Sequence, residues 1–299
     1  MMKLTLGSAP DSWGVWFADD PKQIPWPRFL DEIAACGYEW TELGPYGYLP
    51  TDEKILREEL TKRHLKICAG VVMAHLEDPA AWPGIERQID ETCDYIARFG
   101  ARYLVIIDDI YSNLFTGEIF IDPVLKDDQW KRLIETTHRI ALMAKEKFGL
   151  TSAYHPHADT HVQHPDQVER FICESDPALV GICLDTGHQA YRGEDVIEFM
   201  RRHFKRIPYM HLKSIDAEMR ERVYREQIPF AKAVEQDMFV EPARGAVDFV
   251  KFVEVLREVN YEGFGVVEQD MYPCAFDKPF PIARRTHEYL KSLGMGEQK

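Results

Sequence analysis

Four side chains of the kind that bind metals stand at the ends of four short apolar segments. They close the runs LTSAYH, VGICLD, IPYMH and FGVVE, and they are His155, Asp185, His211 and Glu268. Short apolar runs bounded by glycine, proline and polar residues are typical of buried β-strands. A buried strand seldom carries a charged or imidazole group unless that group is paired or bound. Because Mn²⁺, Co²⁺, Zn²⁺ and Fe²⁺ accept mixed imidazole and carboxylate ligands, whereas Ca²⁺ prefers oxygen alone, the four residues predict a transition-metal site.

Candidate catalytic side chains lie close to these positions in the sequence. Lys213 and His157 each follow a predicted ligand by two residues, and alternate residues of a strand share one face. His188 is the last residue of the motif DTGH, and Glu42 ends an earlier apolar segment. We assign proton transfer to these four, with orientation of a carboxylate as the alternative for His188. His157 also remains an alternative to His155 as the metal ligand.

Lys213 is predicted to be the base. A lysine beside a divalent cation has its charged form disfavoured, which lowers its pKa toward neutrality. The alternative interpretation is a salt bridge from Lys213 to Glu268 or Asp270.

Three further residues are candidates for contact with a substrate. Trp13 and Trp16 follow the first apolar segment, and an indole there would stack on a sugar-like ring or pack at the rim of the fold. His75 lies in the loop that follows the third segment and is assigned the same role.

Strand-like segments alternate with amphipathic helical stretches along the whole chain. We predict eight strands, near 3–7, 39–43, 66–72, 102–107, 150–155, 180–185, 207–212 and 263–268. We predict helices over 31–36, 84–99, 128–148, 248–259 and 281–292. Alternation implies parallel pairing, and eight units in 299 residues predict a closed (β/α)8 TIM barrel forming one α/β domain over residues 1–299. An open doubly wound sheet is the alternative, although the sequence lacks its G-x-G-x-x-G and G-x-x-x-x-G-K-[ST] motifs. The carboxyl ends of barrel strands meet at one mouth, so the barrel would gather the candidate residues.

Composition restricts the partners. The net charge is -14, which argues against nucleic acid and anionic membranes, because phosphate surfaces are bound by basic faces. The six cysteines form no Cys-x-x-Cys pair, which favours free thiols in a reducing compartment. The first residues do not resemble a signal peptide and no apolar run reaches membrane-spanning length, so a cytoplasmic location is expected.

One connection is unusually long. More than thirty residues separate His211 from the helix predicted near 248. A connection of this size after a barrel strand lies on the catalytic face, where it would form a lid. The alternative is an excursion used in homo-oligomer formation.

The motifs resemble those of the xylose-isomerase-like, or sugar phosphate isomerase/epimerase, superfamily, and most of all its inosose dehydratase branch. The matching phrases, in family order, are APDSWG at 9–14, YHPH at 154–157, THVQ at 160–163, LDTGH at 184–188, HLK at 211–213 and EQD at 268–270. Three departures stand out: His155 replaces the usual glutamate of the superfamily, Pro156 interrupts a run of histidines, and Asp11 replaces a common cysteine.

The resemblance implies a metal-dependent lyase that dehydrates a cyclic polyhydroxy ketone such as an inosose, in inositol catabolism. Mn, Co or Zn would hold the ketone oxygen, Lys213 would remove the α-proton, and His157 or His188 would protonate the departing hydroxyl. The same groups would serve a ketose isomerase or 3-epimerase, which is the alternative. A metal-dependent endonuclease and a non-catalytic sugar-binding protein are less favoured, because the first needs a basic face and the second has little use for Lys213.

Overall fold

The computed structural model, which describes residues 2–296, is a closed barrel of eight parallel strands. The barrel strands are β1 (Lys3–Ser8), β2 (Trp40–Glu42), β3 (Lys66–Ala74), β4 (Tyr103–Asp108), β5 (Thr151–Tyr154), β6 (Val180–Asp185), β7 (Tyr209–Leu212) and β10 (Glu262–Val267). Neighbours in the sequence pair in order, and β10 closes the barrel against β1 with Lys3 opposite Glu262. The prediction of a single (β/α)8 TIM barrel is confirmed.

Helices surround the barrel. They are α1 (Trp26–Ala35), α2 (Glu53–Lys62), α3 (Trp82–Arg98), α4 (Asp127–Phe148), α5 (Pro165–Glu174), α6 (Thr186–Arg192), α7 (Val196–His203), α8 (Ala217–Glu226), α9 (Phe230–Glu235), α10 (Phe249–Glu258) and α11 (Pro279–Ser292). Their apolar faces pack on the outside of the strands, while a second, smaller core fills the barrel. Among the described residues, no helix has the length and apolar character needed to cross a membrane.

The predicted helices are confirmed, with one boundary that differs clearly. The first predicted helix was placed at 31–36, whereas α1 begins at Trp26 and ends at Ala35. Proline at the second helical position, Pro27, suits the first turn of a helix because the amide it lacks has no partner there. The strand ends are close to the prediction: β5 ends at Tyr154, and the amide of His155 still donates to the Ile106 carbonyl of β4 at 2.8 Å.

The long connection after β7 is folded. It contains β8 (Ser214–Ile215), α8, α9 and β9 (Phe239–Val240), with β8 and β9 paired antiparallel. Its apolar side chains form a third core with Ala158, from the loop after β5, and Tyr191, from helix α6. The connection therefore lies over the barrel mouth as a packed unit, and its role as a lid stays a prediction.

Candidate active site

The barrel brings the four predicted metal ligands together at its carboxyl-terminal mouth. Asp185 Oδ2 lies 3.3 Å from His155 Nε2 and 3.6 Å from His211 Nδ1, and His211 Nδ1 lies 3.0 Å from Glu268 Oε2. All four side chains are buried. Each comes from the end of a different strand, as the sequence predicted.

Several buried atoms in this group have no hydrogen-bond partner. They include Asp185 Oδ2, His155 Nδ1 and His211 Nδ1. Burying a polar atom without a partner costs about 1–3 kcal/mol, and two of these atoms, Asp185 Oδ2 and His211 Nδ1, lie 3.6 Å apart, which suits a shared ligand. Burial also lowers the pKa of His155, which favours the neutral imidazole that binds metals. The donor set and its unpartnered atoms fit a divalent transition-metal ion.

The DTGH motif sets the direction of Asp185. Asp185 Oδ1 accepts hydrogen bonds from the amides of Gly187 and His188, both at 2.8 Å, and so caps helix α6. This leaves Oδ2 facing the two imidazoles. A Cβ at Gly187 would lie 2.4 Å from Lys213 Cβ, so only glycine lets α6 start this close to β7.

Glu42 fixes the orientation of His211. Its Oε1 accepts from the Tyr209 hydroxyl at 2.8 Å and lies 2.8 Å from His211 Nε2. With Nε2 held by Glu42, His211 turns Nδ1 toward Asp185 and Glu268. Burial lowers the pKa of His211, but nearby negative groups outweigh it and raise that pKa well above its ordinary range. These negative groups favour the protonated ring, so a metal bound at Nδ1 would compete with a proton.

A cavity opens above these residues at the barrel mouth, and Lys213 lies at its floor among four carboxylates. Its Nζ is 2.9 Å from Glu268, 3.0 Å from Asp270, 3.3 Å from Asp185 and 3.5 Å from Asp11. Burial lowers the pKa of Lys213, but the carboxylates outweigh burial and raise it well above its usual value. The predicted lowering of this pKa concerns Lys213 beside a bound cation and stays a prediction. The salt bridges to Glu268 and Asp270, which are the alternative interpretation, are present.

His157 and His188 occupy different positions relative to the cavity. His157 lines it, with Nδ1 2.7 Å from its neighbour's carbonyl, and burial holds its pKa well below the usual range. His188 lies behind His157 at 4.0 Å between ring centroids, is 1% exposed and does not line the cavity. Its Nε2 is 3.4 Å from Asp270 Oδ2. Of His157 and His188, only His157 is placed to contact a substrate. Of His155 and His157, the two candidates for the metal ligand after β5, His155 is the one in contact with Asp185.

The three residues predicted to contact a substrate lie at different distances from the cavity. Trp16 lines the cavity. Trp13 is fully buried, donates from Nε1 to Glu32 at 2.8 Å and packs edge-on against Phe29, so its predicted contact with substrate is wrong. His75 lies beside the cavity but does not line it.

Two carboxylates of the site had no predicted role in catalysis or binding. Asp270 accepts from Lys213, and Asp11, in the turn after β1, lines the cavity beside it. Burial and the neighbouring Glu268 raise the pKa of Asp11 well above its usual value. The position of Asp270, two residues after Glu268, is the signal that could have identified it, because the same spacing identified Lys213 and His157.

The cavity above these residues has a volume of about 830 Å³. Its floor is formed by the charged and imidazole side chains of strand ends, and the rest of its lining combines aromatic and aliphatic groups with polar ones such as Asp109 and Asn113. The site can therefore hold a divalent cation, a polar ligand on that cation, and two side chains able to transfer protons.

Comparison with known proteins agrees with this arrangement. A model of the xylose isomerase-like TIM barrel family matches residues 30–293. The chain is 31% identical over 299 residues to an inosose dehydratase of Lacticaseibacillus casei strain BL23, and 30% identical over 302 residues to an inosose dehydratase of Geobacillus thermodenitrificans strain NG80-2. Each alignment covers 97% of both chains.

Solved structures share the fold at low identity. The IOLI protein with a binding zinc atom superimposes with a TM-score of 0.73 at 16% identity, covering 97% of this chain and 98% of that chain. The probable 3-DHS dehydratase AsbF of Bacillus anthracis gives a TM-score of 0.72 at 15% identity, covering 97% of this chain and 99% of that chain. The extent of the family match, together with the relatives aligned over nearly their whole length, shows that this chain belongs to the xylose isomerase-like TIM barrel family.

Proposed function

We propose that the protein is a metal-dependent lyase that removes water from a cyclic polyhydroxy ketone, with an inosose as substrate. The observation that carries the proposal is one cavity lined by His155, His211 and Glu268, with the fourth candidate ligand Asp185 buried against the two imidazoles, together with two candidate proton-transfer groups. The near full-length similarity to proteins named inosose dehydratase supports the choice of substrate.

The proposed metal ligands are His155, Asp185, His211 and Glu268. When bound there, a divalent cation supplies Lewis acidity toward a ketone oxygen, and it would be Mn, Co or Zn. Glu42 holds the ring of His211 and thereby sets the direction of its free nitrogen.

Lys213 and His157 are the proposed proton-transfer groups. Lys213 lies on the floor among the ligands, so it is the nearer of the two to the α-carbon of a ketone bound there, and we assign α-proton removal to it. It must be neutral for this role, which its carboxylate neighbours oppose until a metal cation occupies Asp185 and Glu268. His157 is one ring farther out, 5.5 Å from His155 between centroids, and is assigned delivery of a proton to the departing β-hydroxyl.

A panel of substrates tests the reaction class. Metal-loaded protein is incubated with inososes and with free ketoses in deuterated water, and the products are followed by NMR and absorbance. Loss of the β-hydroxyl and appearance of a conjugated enol or dione are expected with an inosose. Entry of deuterium at the α-carbon without loss of the hydroxyl would replace the dehydratase with an isomerase or 3-epimerase.

Nucleic acid is not a proposed partner, so an endonuclease activity is not proposed. The net charge of -14 supports this, since a surface that binds phosphates must be basic.

A further inference from the structure

The cavity is larger than a polyhydroxylated ring requires. Its volume of about 830 Å³ lies within the range of about 300–1,000 Å³ that is usual for pockets enclosing drug-sized ligands. A single cyclic polyol on the floor would leave the outer half unfilled.

Five aromatic side chains from the connections after β1, β2 and β4 line the cavity, and four of them are exposed to solvent. We call this set the aromatic rim; it consists of Trp16, Phe17, Tyr46, Phe115 and Phe120. The exposed fractions are 42% for Phe17, 38% for Tyr46, 40% for Phe115 and 57% for Phe120. Residues 2–296 contain six exposed phenylalanine, tyrosine or tryptophan side chains, and four of them are in this rim. Such a concentration at a cavity mouth is typical of a binding surface.

The rim residues come from separate connections and are held in place. Trp16 stacks on Tyr272 at 5.0 Å between centroids, and Phe17 and Phe115 meet the same ring at 5.3 and 6.4 Å. The backbone amides of Trp16 and Phe17 donate to the side chain of Gln23 at 2.6 and 2.7 Å. The rim is therefore a built wall around an open space, which lowers the ordering cost of binding a ligand.

We propose that the aromatic rim binds an apolar, aromatic substituent on a substrate whose polyhydroxylated ring lies on the charged floor. The proposal rests on the proposed function for the position of the ring. One continuous cavity is lined by Lys213 and His157 and also by Phe115 and Phe120, so a ligand that fills it from a polar ring on the floor would meet aromatic groups farther out. An unsubstituted polyol presents hydroxyl groups in every direction and would leave the rim without a partner.

Two unreactive probes test the subsite without depending on turnover. Binding of phenyl and methyl β-D-glucopyranoside to manganese-loaded protein is measured by calorimetry. The phenyl compound is expected to bind about tenfold more tightly than the methyl compound, a difference of about 1.4 kcal/mol. Equal affinities would overturn the proposal.

Variants of the aromatic rim test which side chains cause the tighter binding of the phenyl compound. Phe115→Ala and Phe120→Ala remove side chains that are already exposed, so folding is expected to be unaffected, and each is expected to reduce the phenyl preference to about threefold or less. Val124→Ala is the matched control, since Val124 is 71% exposed in the same connection and does not line the cavity. A phenyl preference unchanged in both phenylalanine variants, or equally reduced in the control, would refute a role for the rim.

Two further measurements separate this proposal from others. Turnover of an inosose by the same preparations tests the proposed function. If the inosose is not turned over but the phenyl compound still binds more tightly, the lyase is refuted and the subsite is kept. If the inosose is turned over but the two glucosides bind equally, only the subsite is refuted. Size-exclusion chromatography tests whether a second copy of this chain, instead of a ligand, covers the aromatic rim. If Phe120→Ala changes the oligomeric state and leaves the phenyl preference unchanged, the rim is an interface between copies and the ligand proposal fails.

Discussion

Replacement of Lys213 by methionine separates the chemical role of its amine from its structural role. The side-chain bulk is retained, but the cation is removed from Glu268, Asp270, Asp185 and Asp11, which lie 2.9–3.5 Å from it. Two separate effects follow, one on the free energy of unfolding and one on kcat.

The effect on stability depends on metal. Removing one partner of a buried ion pair costs about 3–5 kcal/mol, and in metal-free Lys213→Met the carboxylates are left without their cation. A bound divalent cation would compensate two of the same carboxylates, so the loss is expected to shrink when metal is added. Metal at a concentration of about 100 times its Kd would itself contribute about 2.7 kcal/mol of stability.

The effect on catalysis does not depend on how much protein is folded. Loss of a positioned proton-transfer group lowers kcat by about 10²–10⁴, which corresponds to about 2.7–5.4 kcal/mol in the activation barrier. Substrate binding is expected to change little, because the amine acts in the transition state.

The assay is kcat per folded, metal-loaded molecule, with metal content measured by elemental analysis and stability by thermal unfolding with and without chelator. Lys213→Arg is the matched control, since arginine keeps the positive charge but cannot become the neutral base. It is expected to recover stability and leave kcat low. A kcat within a few-fold of wild type in Lys213→Met, or full activity in Lys213→Arg, would refute Lys213 as the base.

Two further predictions concern the metal site and a histidine outside it. Purified protein should carry about one transition-metal ion per chain, and Asp185→Ala and Glu268→Ala should lose it while staying folded by circular dichroism; full metal content in both variants would contradict the site. Burial lowers the pKa of His161, but its hydrogen bond to Asp108 at 2.7 Å and the negative charges of Asp108 and Glu77 together outweigh burial and raise that pKa. The resulting stabilisation is complete below the unfolded pKa of about 6.5 and is lost as pH rises through the folded pKa. Urea unfolding should therefore show a free energy of unfolding that falls over that pH interval. His161→Gln should remove this pH dependence. An identical pH dependence in the variant would assign it to another group.

The sequence predicted the barrel and the gathering of the four candidate ligands because both depend on one repeated pattern. The buried strands show their apolar runs, and four of these runs end in an imidazole or carboxylate with no reason to be buried alone, as at Asp185 and His211. In a barrel the strand ends converge whatever the intervening sequence, so no knowledge of the connections was needed.

The connections themselves could not be predicted in the same way. Trp13 and Trp16 are three residues apart, yet the turn at Pro10–Trp13 directs one indole into the core against Phe29 and leaves the other at the cavity. Nothing in the local pattern distinguishes them, since both are large apolar groups beside a strand end. Their separation is decided by packing against α1, which lies elsewhere in the sequence.

The charge state of Lys213 shows where inference from strand ends stops. Two of its carboxylate neighbours, Asp185 and Glu268, are strand-end residues, but Asp11 and Asp270 come from the connections after β1 and β10. A lysine beside a metal alone would have a lowered pKa, whereas a lysine among four carboxylates has a raised one. Asp11 and Asp270 therefore help to determine whether the pKa of Lys213 is raised or lowered. The balance between cation and carboxylates at this position therefore sets when Lys213 can accept a proton, and metal loading is the variable that should change it.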